Sequence, residues 1–292
     1  MLLSCLVMVF LCQYVLAYTI DHLHCGPHGV NTIRESVEEA LNIAQYAEWR
    51  MIRNDPRVNA NLLQQVLGTG AKDHLIRRMG QVPAAIGQYT GDFRGTGAND
   101  PTVLITCGEG DIVYTRNAVP GDPQPDNARD TRFPNMWDAA LRAGENVCGA
   151  TVVASTYPTN TPLKPQFVIL LCDGPPPHAL SANRKFGANI NNRWMGQQYD
   201  TFSNWMSSTL VHEFMHCLGQ GIDNPLPSGR METYDLASIK TLSDQDKEAN
   251  AQGYSLLATG LYLRKNTMGE SGAMGRRFST NNAPGTGPHM YP

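Results

Sequence analysis

The sequence predicts an α+β fold with a single core, rich in helix and carrying a small sheet. Three observations predict it. Hydrophobic residues make up 41% of the chain against 17% charged, enough to build a packed interior and too much for wholesale disorder. Long stretches near both ends of the chain repeat apolar residues at helical spacing. Between them lie short β-branched or continuously apolar runs bounded by proline, which read as strands.

Along the chain, residues 31–54 place Ile33, Val37, Leu41 and Ala44 on one helical face, with Thr32 and Glu35 spaced as a capping box. A second helical stretch, 59–79, is interrupted by Gly68 and Gly70. Residues 102–107 (TVLITC) follow a proline and predict a strand. Residues 117–135, with four prolines and Gly121, predict a surface loop, and 137–147 a short helix. Two further strands are expected at 151–156 (TVVAST) and 167–172 (FVILLC), the second apolar throughout, as a strand buried on both faces would be. Helical pattern returns from Tyr234 to Leu263. The Gly-, Asn- and Pro-rich stretch 265–292 predicts a disordered tail. No internal repeat is present.

Residues 1–17 read as a secretory signal peptide: an apolar stretch too short for a comfortable membrane span, with Val15 and Ala17 as small residues before a cleavage point, although no Lys or Arg precedes it. The expected mature domain is 18–264, extracellular and without stable membrane association. Five cysteines remain after residue 17, which in an oxidising compartment means two bridges and one free thiol. A net charge of −3, with no run of five like charges, gives no basic footprint for nucleic acid.

The chemically informative segment is 207–221, SSTLVHEFMHCLGQG. His212 and His216 lie four apart, so on a helix both imidazoles leave the same face one turn apart and can grip one Zn²⁺. Glu213, next to the first of them, can reach a zinc-activated water as general base. Val211, Met215 and Leu218 give the helix an apolar stripe, Ser207 and Ser208 are available caps, and Gly219 is placed to stop it. A catalytic zinc needs a third protein ligand. Six residues beyond His216 stands Ile222, which cannot serve; Asp223 and Glu232 remain as alternatives.

With these residues in view, the chain resembles the aspzincins, the deuterolysins and peptidyl-Lys metalloendopeptidases of fungi. The order is the same over most of 25–263. A cysteine opens the first helix (Cys25, then VNTIRESVEEALNIAQYAEW). A strand ends at Cys107, a hairpin runs from Cys148 to Cys172, TLVHEFMH follows, and YDLASIKTL…ANAQGYSLLATGLYL matches the closing helices. The resemblance implies a zincin-like domain, endopeptidase activity on polypeptide substrates, and bridges Cys25–Cys107 and Cys148–Cys172 that leave Cys217 free. It implies Tyr234 as an oxyanion donor. The family draws its third ligand from the Asp of GTxDxxYG; aligning Tyr234 with that Tyr puts Met231 at the Asp position and Glu232 one residue on. Glu232 is therefore preferred to Asp223, because it keeps register with Tyr234. A preference for cutting before lysine would need an acidic pocket; Asp200 and Asp173, between the last strand and the HExxH helix, read instead as solvated loop residues, so no cleavage preference is expected from them. The competing reading is a secreted, non-catalytic zinc-binding protein, to which His22, His24 and His28 could add ligands.

Overall fold

The computed structural model describes residues 17–56, 58–94, 102–115, 126–133, 139–141, 146–149, 152–159, 165–172, 198–203, 205–218, 222, 225–263, 266–268 and 274–277. Five strands form the central sheet: β1 (Ala17–Ile20), β2 (Gln88–Asp92), β3 (Val103–Cys107), β7 (Ala154–Pro158) and β8 (Phe167–Leu171), in the spatial order β2-β1-β3-β8-β7. The first four run parallel, and β7 pairs antiparallel with β8, Thr156 opposite Ile169. Every residue of β3 is buried, as are four of five in β8, which explains why both read as near-continuous apolar runs.

The two faces of this sheet bury different things. Val103, Ile105, Ile169 and Leu171 face the main core with α1 (His22–Ile52), α2 (Ala60–Leu67), α3 (Ala71–Ile86), α4 (Met206–Cys217) and α7 (Ala251–Tyr262). Leu104, Val168 and Leu170 face a smaller cluster with Ile112, Ala128 and Phe133. That cluster lies under a second, three-stranded antiparallel sheet of β4 (Ile112–Thr115), β5 (Asp126–Asp130) and β6 (Ala139–Leu141). The α+β class is as predicted.

Several elements differ from expectation. The loop expected over 117–135 contains β5, and the helix expected over 137–147 contains β6. Asp130 is drawn into the sheet by buried partners: the Tyr157 hydroxyl donates to Oδ2 at 2.6 Å and Arg132 Nη2 at 2.7 Å. Helix α1 starts ten residues before the Thr32–Glu35 box, because Asp21 caps it, accepting from the backbone N–H of Leu23 and His24. Gly26 (φ 61°, ψ 166°) breaks the helix just before Pro27, and Thr32 lies inside it, its carbonyl accepting from Ser36 Oγ. The interruption at Gly68 and Gly70 is real: both have positive φ, and a Cβ on Gly68 would lie 2.9–3.0 Å from Asp244.

After α4, the chain forms α5 (Leu236–Lys240) and α6 (Asp244–Ala249) before α7. Asp235, Ser243 and Asn250 cap these three in turn. Within the expected tail, β9 (Asn266–Met268) and β10 (Met274–Arg277) pair antiparallel; the rest of it lies outside the described residues. Disulfides join Cys25 to Cys107 and Cys148 to Cys172, tying α1 to β3 and the segment before β7 to the end of β8. Among the described residues, no helix is long and apolar enough to cross a membrane.

Candidate metal centre

Helix α4 is buried almost throughout, held between α1, α7 and the edge strand β7. Ser207 and Ser208 do not cap it. Trp205 takes the cap position without a side-chain bond, and both serines sit inside the first turn. Ser208 Oγ instead meets the hydroxyls of Ser255 and Thr259 on α7, at 3.0 and 3.1 Å, and its carbonyl accepts from Ser255 Oγ at 2.7 Å. Small side chains there let α4 and α7 lie close. Gly219 is outside the described residues, and Leu218 ends the helix.

The two imidazoles leave α4 toward the same point, with Nε2 of His212 and Nε2 of His216 3.3 Å apart. Glu232 completes a triangle: its Oε2 is 3.4 Å from each. These three residues could hold a metal ion. Glu232 comes from the extended segment before α5, where Met231 turns outward (65% exposed) and Glu232 inward at 6%, while Tyr234 lies half exposed beside His212. The side chain at the register position of the family's Asp therefore faces solvent, and its neighbour faces the imidazoles. Asp223, the other candidate, lies outside the described residues.

The amino terminus of α7 fixes Glu232 in place. Oε1 accepts from the backbone N–H of Gln252 at 3.3 Å, and Asn250 Nδ2 donates to the Thr233 carbonyl at 3.0 Å. A carboxylate at a helix start meets unpaired N–H groups and the positive end of the helix dipole. His212 Nδ1 lies 2.9 Å from Gln252 Oε1. Glu213, 4% exposed, points its Oε2 at the Thr156 hydroxyl of β7, which donates to it at 2.7 Å. The Tyr234 ring stacks on that of His212, centroids 5.6 Å apart.

A cleft of about 520 Å³ opens over this group, with Ala154, Ser155, Thr156 and Pro158 of β7 along one wall. A second, of about 360 Å³, adjoins it toward Val152, Val153, Ser203 and Thr209.

Electrostatics follow from the packing. Burial opposes charge on His212, but the adjoining Glu232 carboxylate outweighs it, helped by Glu213 and Gln252, and lifts the imidazole to about 9. Burial likewise opposes charge on Glu232, yet the two imidazoles hold its carboxyl well below the usual range. Burial and the Glu232 and Glu213 carboxylates push the Tyr234 phenol far up, so it stays a hydrogen-bond donor.

His212 sits above its ordinary 6.5, so its pairing contributes stability in full below pH 6.5, lost as pH rises through about 9. Glu232 sits below its ordinary 4.5, so its contribution is lost only in strong acid. Metal-free protein is expected to melt at progressively lower temperature from pH 6.5 to 9. Metal binding at pH 7 should release about one proton, and affinity should rise about tenfold per pH unit up to pH 9. Calorimetry in buffers of different ionisation enthalpy measures that proton directly; none released would contradict the pairing.

Other predicted residues scatter. His22 Nε2 bonds the Tyr89 hydroxyl at 2.7 Å, whereas His24 Nδ1 bonds Asp21 at 2.7 Å, so the two share no site; the His28 side chain is outside what is described. Asp21, His24 and Asp111 do approach one another. Arg132 is already paired with that group, 2.9 Å from Asp21 and 3.1 Å from Asp111. Asp200 Oδ1 accepts from the Leu236 backbone N–H at 2.9 Å, tying the 3-10 turn Tyr199–Phe202 to α5, and Asp173 lies outside the described residues. Cys217 is free and buried, and burial followed by the Glu213 carboxylate pushes its thiol up, away from the thiolate a metal would need. Sequence reasoning missed Thr156 and Gln252, since no motif marks either. Comparison with protein-family models, characterised proteins and solved structures finds no match to this chain.

Proposed function

We propose that the protein is a secreted zinc metalloendopeptidase with a zincin-like domain of the aspzincin kind. The observation that carries this reading is the triangle of two imidazole nitrogens and one carboxylate oxygen, with edges of 3.3–3.4 Å, beside a separately anchored glutamate. Ligands about 2.0–2.2 Å from a tetrahedral zinc lie roughly 3.3–3.6 Å apart, so the triangle would fit one face of such a shell beside the cleft. Two imidazoles with one carboxylate also suit zinc better than the all-oxygen shells of calcium or magnesium. Two disulfides agree with an oxidising compartment.

A zinc ion held by His212, His216 and Glu232 would supply Lewis acidity toward water and a scissile carbonyl. Glu213, its carboxylate oriented by Thr156, takes the proton from the attacking water and hands it to the departing amine. Tyr234, kept protonated by its acidic neighbours, donates to the oxygen on which charge develops. The peptide lies extended along β7, which among the described residues is the last strand of its sheet and offers its outer edge for pairing. With Asp200 engaged elsewhere, the reading does not include a preference for lysine.

Incubation with casein tests the proposal: cleavage should stop with a zinc chelator and return on adding zinc. Hydrolysis indifferent to chelation would end it. Thr156→Val should leave zinc content and KM unchanged while kcat falls about tenfold, since a hydrogen bond to a charged group contributes about 1.5–3 kcal/mol, part of it recovered by water. Steady-state kinetics on a quenched peptide reads this.

A further inference from the structure

We propose that Gln252 is a positioning residue that sets two of the three metal donors at once; the proposal rests on the zinc reading above. Gln252 is the second residue of α7 and is forty positions from His212 in sequence, yet it reaches both His212 and Glu232. Its backbone N–H, one of those a helix start leaves unpaired, donates to Glu232 Oε1 and turns Oε2 toward the imidazoles. Its side-chain Oε1 accepts from His212 Nδ1–H, which leaves the Nε2 lone pair facing the triangle. A leucine or methionine in the same place could do the first of these and not the second.

The remaining amide atom makes the case. Gln252 Nε2 is buried and has no hydrogen-bond partner among the described residues. An unmade amide bond in the interior is destabilising, and an apolar side chain of equal length would avoid it. The position thus keeps a polar group whose only completed side-chain bond among the described residues is the one to the His212 imidazole. The amide cannot turn over to relieve this. With Nε2 of Gln252 against His212, the ring proton would have to sit on the imidazole Nε2, where the metal belongs. Metal binding and amide orientation fix each other.

The test uses the full chain and zinc alone, with the dissociation constant read by competition against a chelating dye and the metal-free melting temperature read in parallel. Gln252→Met removes the acceptor and the unpaired donor together. It should weaken zinc binding 10- to 100-fold, the usual effect of losing a ligand's hydrogen-bond partner, while the metal-free melting temperature stays near the parent's. Gln252→Glu keeps an acceptor oxygen and should bind within about threefold of the parent or more tightly. If Gln252→Met binds zinc as tightly as the parent, the positioning role is wrong while the zinc reading stands. If Gln252→Glu is as weak as Gln252→Met, the acceptor is not what matters, and the role is equally wrong. Should Gln252→Met fail to fold, the Gln252→Glu affinity decides alone. A parent protein with no saturable zinc binding overturns the zinc reading itself, and this inference with it.

Discussion

Glu213→Gln is expected to bind zinc as the parent does and to cleave peptides about 10² to 10⁴ times more slowly. That is the range a positioned general base contributes. The substitution keeps the shape and the Thr156 contact, since an amide oxygen also accepts from a hydroxyl. What it removes is the capacity to take a proton from water beside the metal. Zinc content by atomic absorption should stay at one per chain, because Glu213 is not a member of the donor triangle. Turnover within tenfold of the parent, with zinc retained, would mean that another group carries the proton and that the role given to Glu213 is mistaken.

Glu232→Gln is expected to lose zinc. The carboxylate is buried against two imidazoles and is the one anionic donor of the triangle. Losing it should weaken zinc binding by more than the roughly 10- to 100-fold that follows loss of a ligand's hydrogen-bond partner. The neutral amide keeps the volume and one oxygen, so the loss reports charge rather than packing. Activity should fall with the metal and recover in part at high zinc. Asp223→Ala should change neither. If the Asp223 variant loses the metal while the Glu232 variant keeps it, the third donor has been assigned to the wrong carboxylate.

The donor set was readable to the degree that helical periodicity fixes it. Residues 212 and 216 on one helix must face one way, and the sequence alone says so. The choice of Glu232 comes from register with Tyr234, and that Glu232 rather than Met231 faces inward is a matter of tertiary packing against α7, which no local pattern marks. Thr156 and Gln252 were invisible because each reaches the site only through tertiary packing, one across the sheet edge and one across a helix pair. Strands β3 and β8 were legible because burial on both faces demands apolar runs. Strand β1 (AYTI) was not: four residues that continue a longer apolar stretch of sequence carry no pattern of their own. Strand β5 (DNARD) reads as loop because bonds from Tyr157 and Arg132 to Asp130, rather than propensity, place it. The Thr32–Glu35 pair misled because a capping box marks a possible start, and Asp21 began the helix earlier.

The hydroxyl contacts between Ser208, Ser255 and Thr259 hold α4 and α7 at a spacing that owes nothing to an ion. Since α4 carries two donors and the start of α7 orients the third, these contacts would keep the proposed receptacle in shape with or without its guest. Loading then resembles a cation dropping into a stiff chelator, limited by encounter and proton departure rather than by folding. Stripping the guest should correspondingly leave the architecture standing, in contrast to small domains that collapse once their zinc is withdrawn.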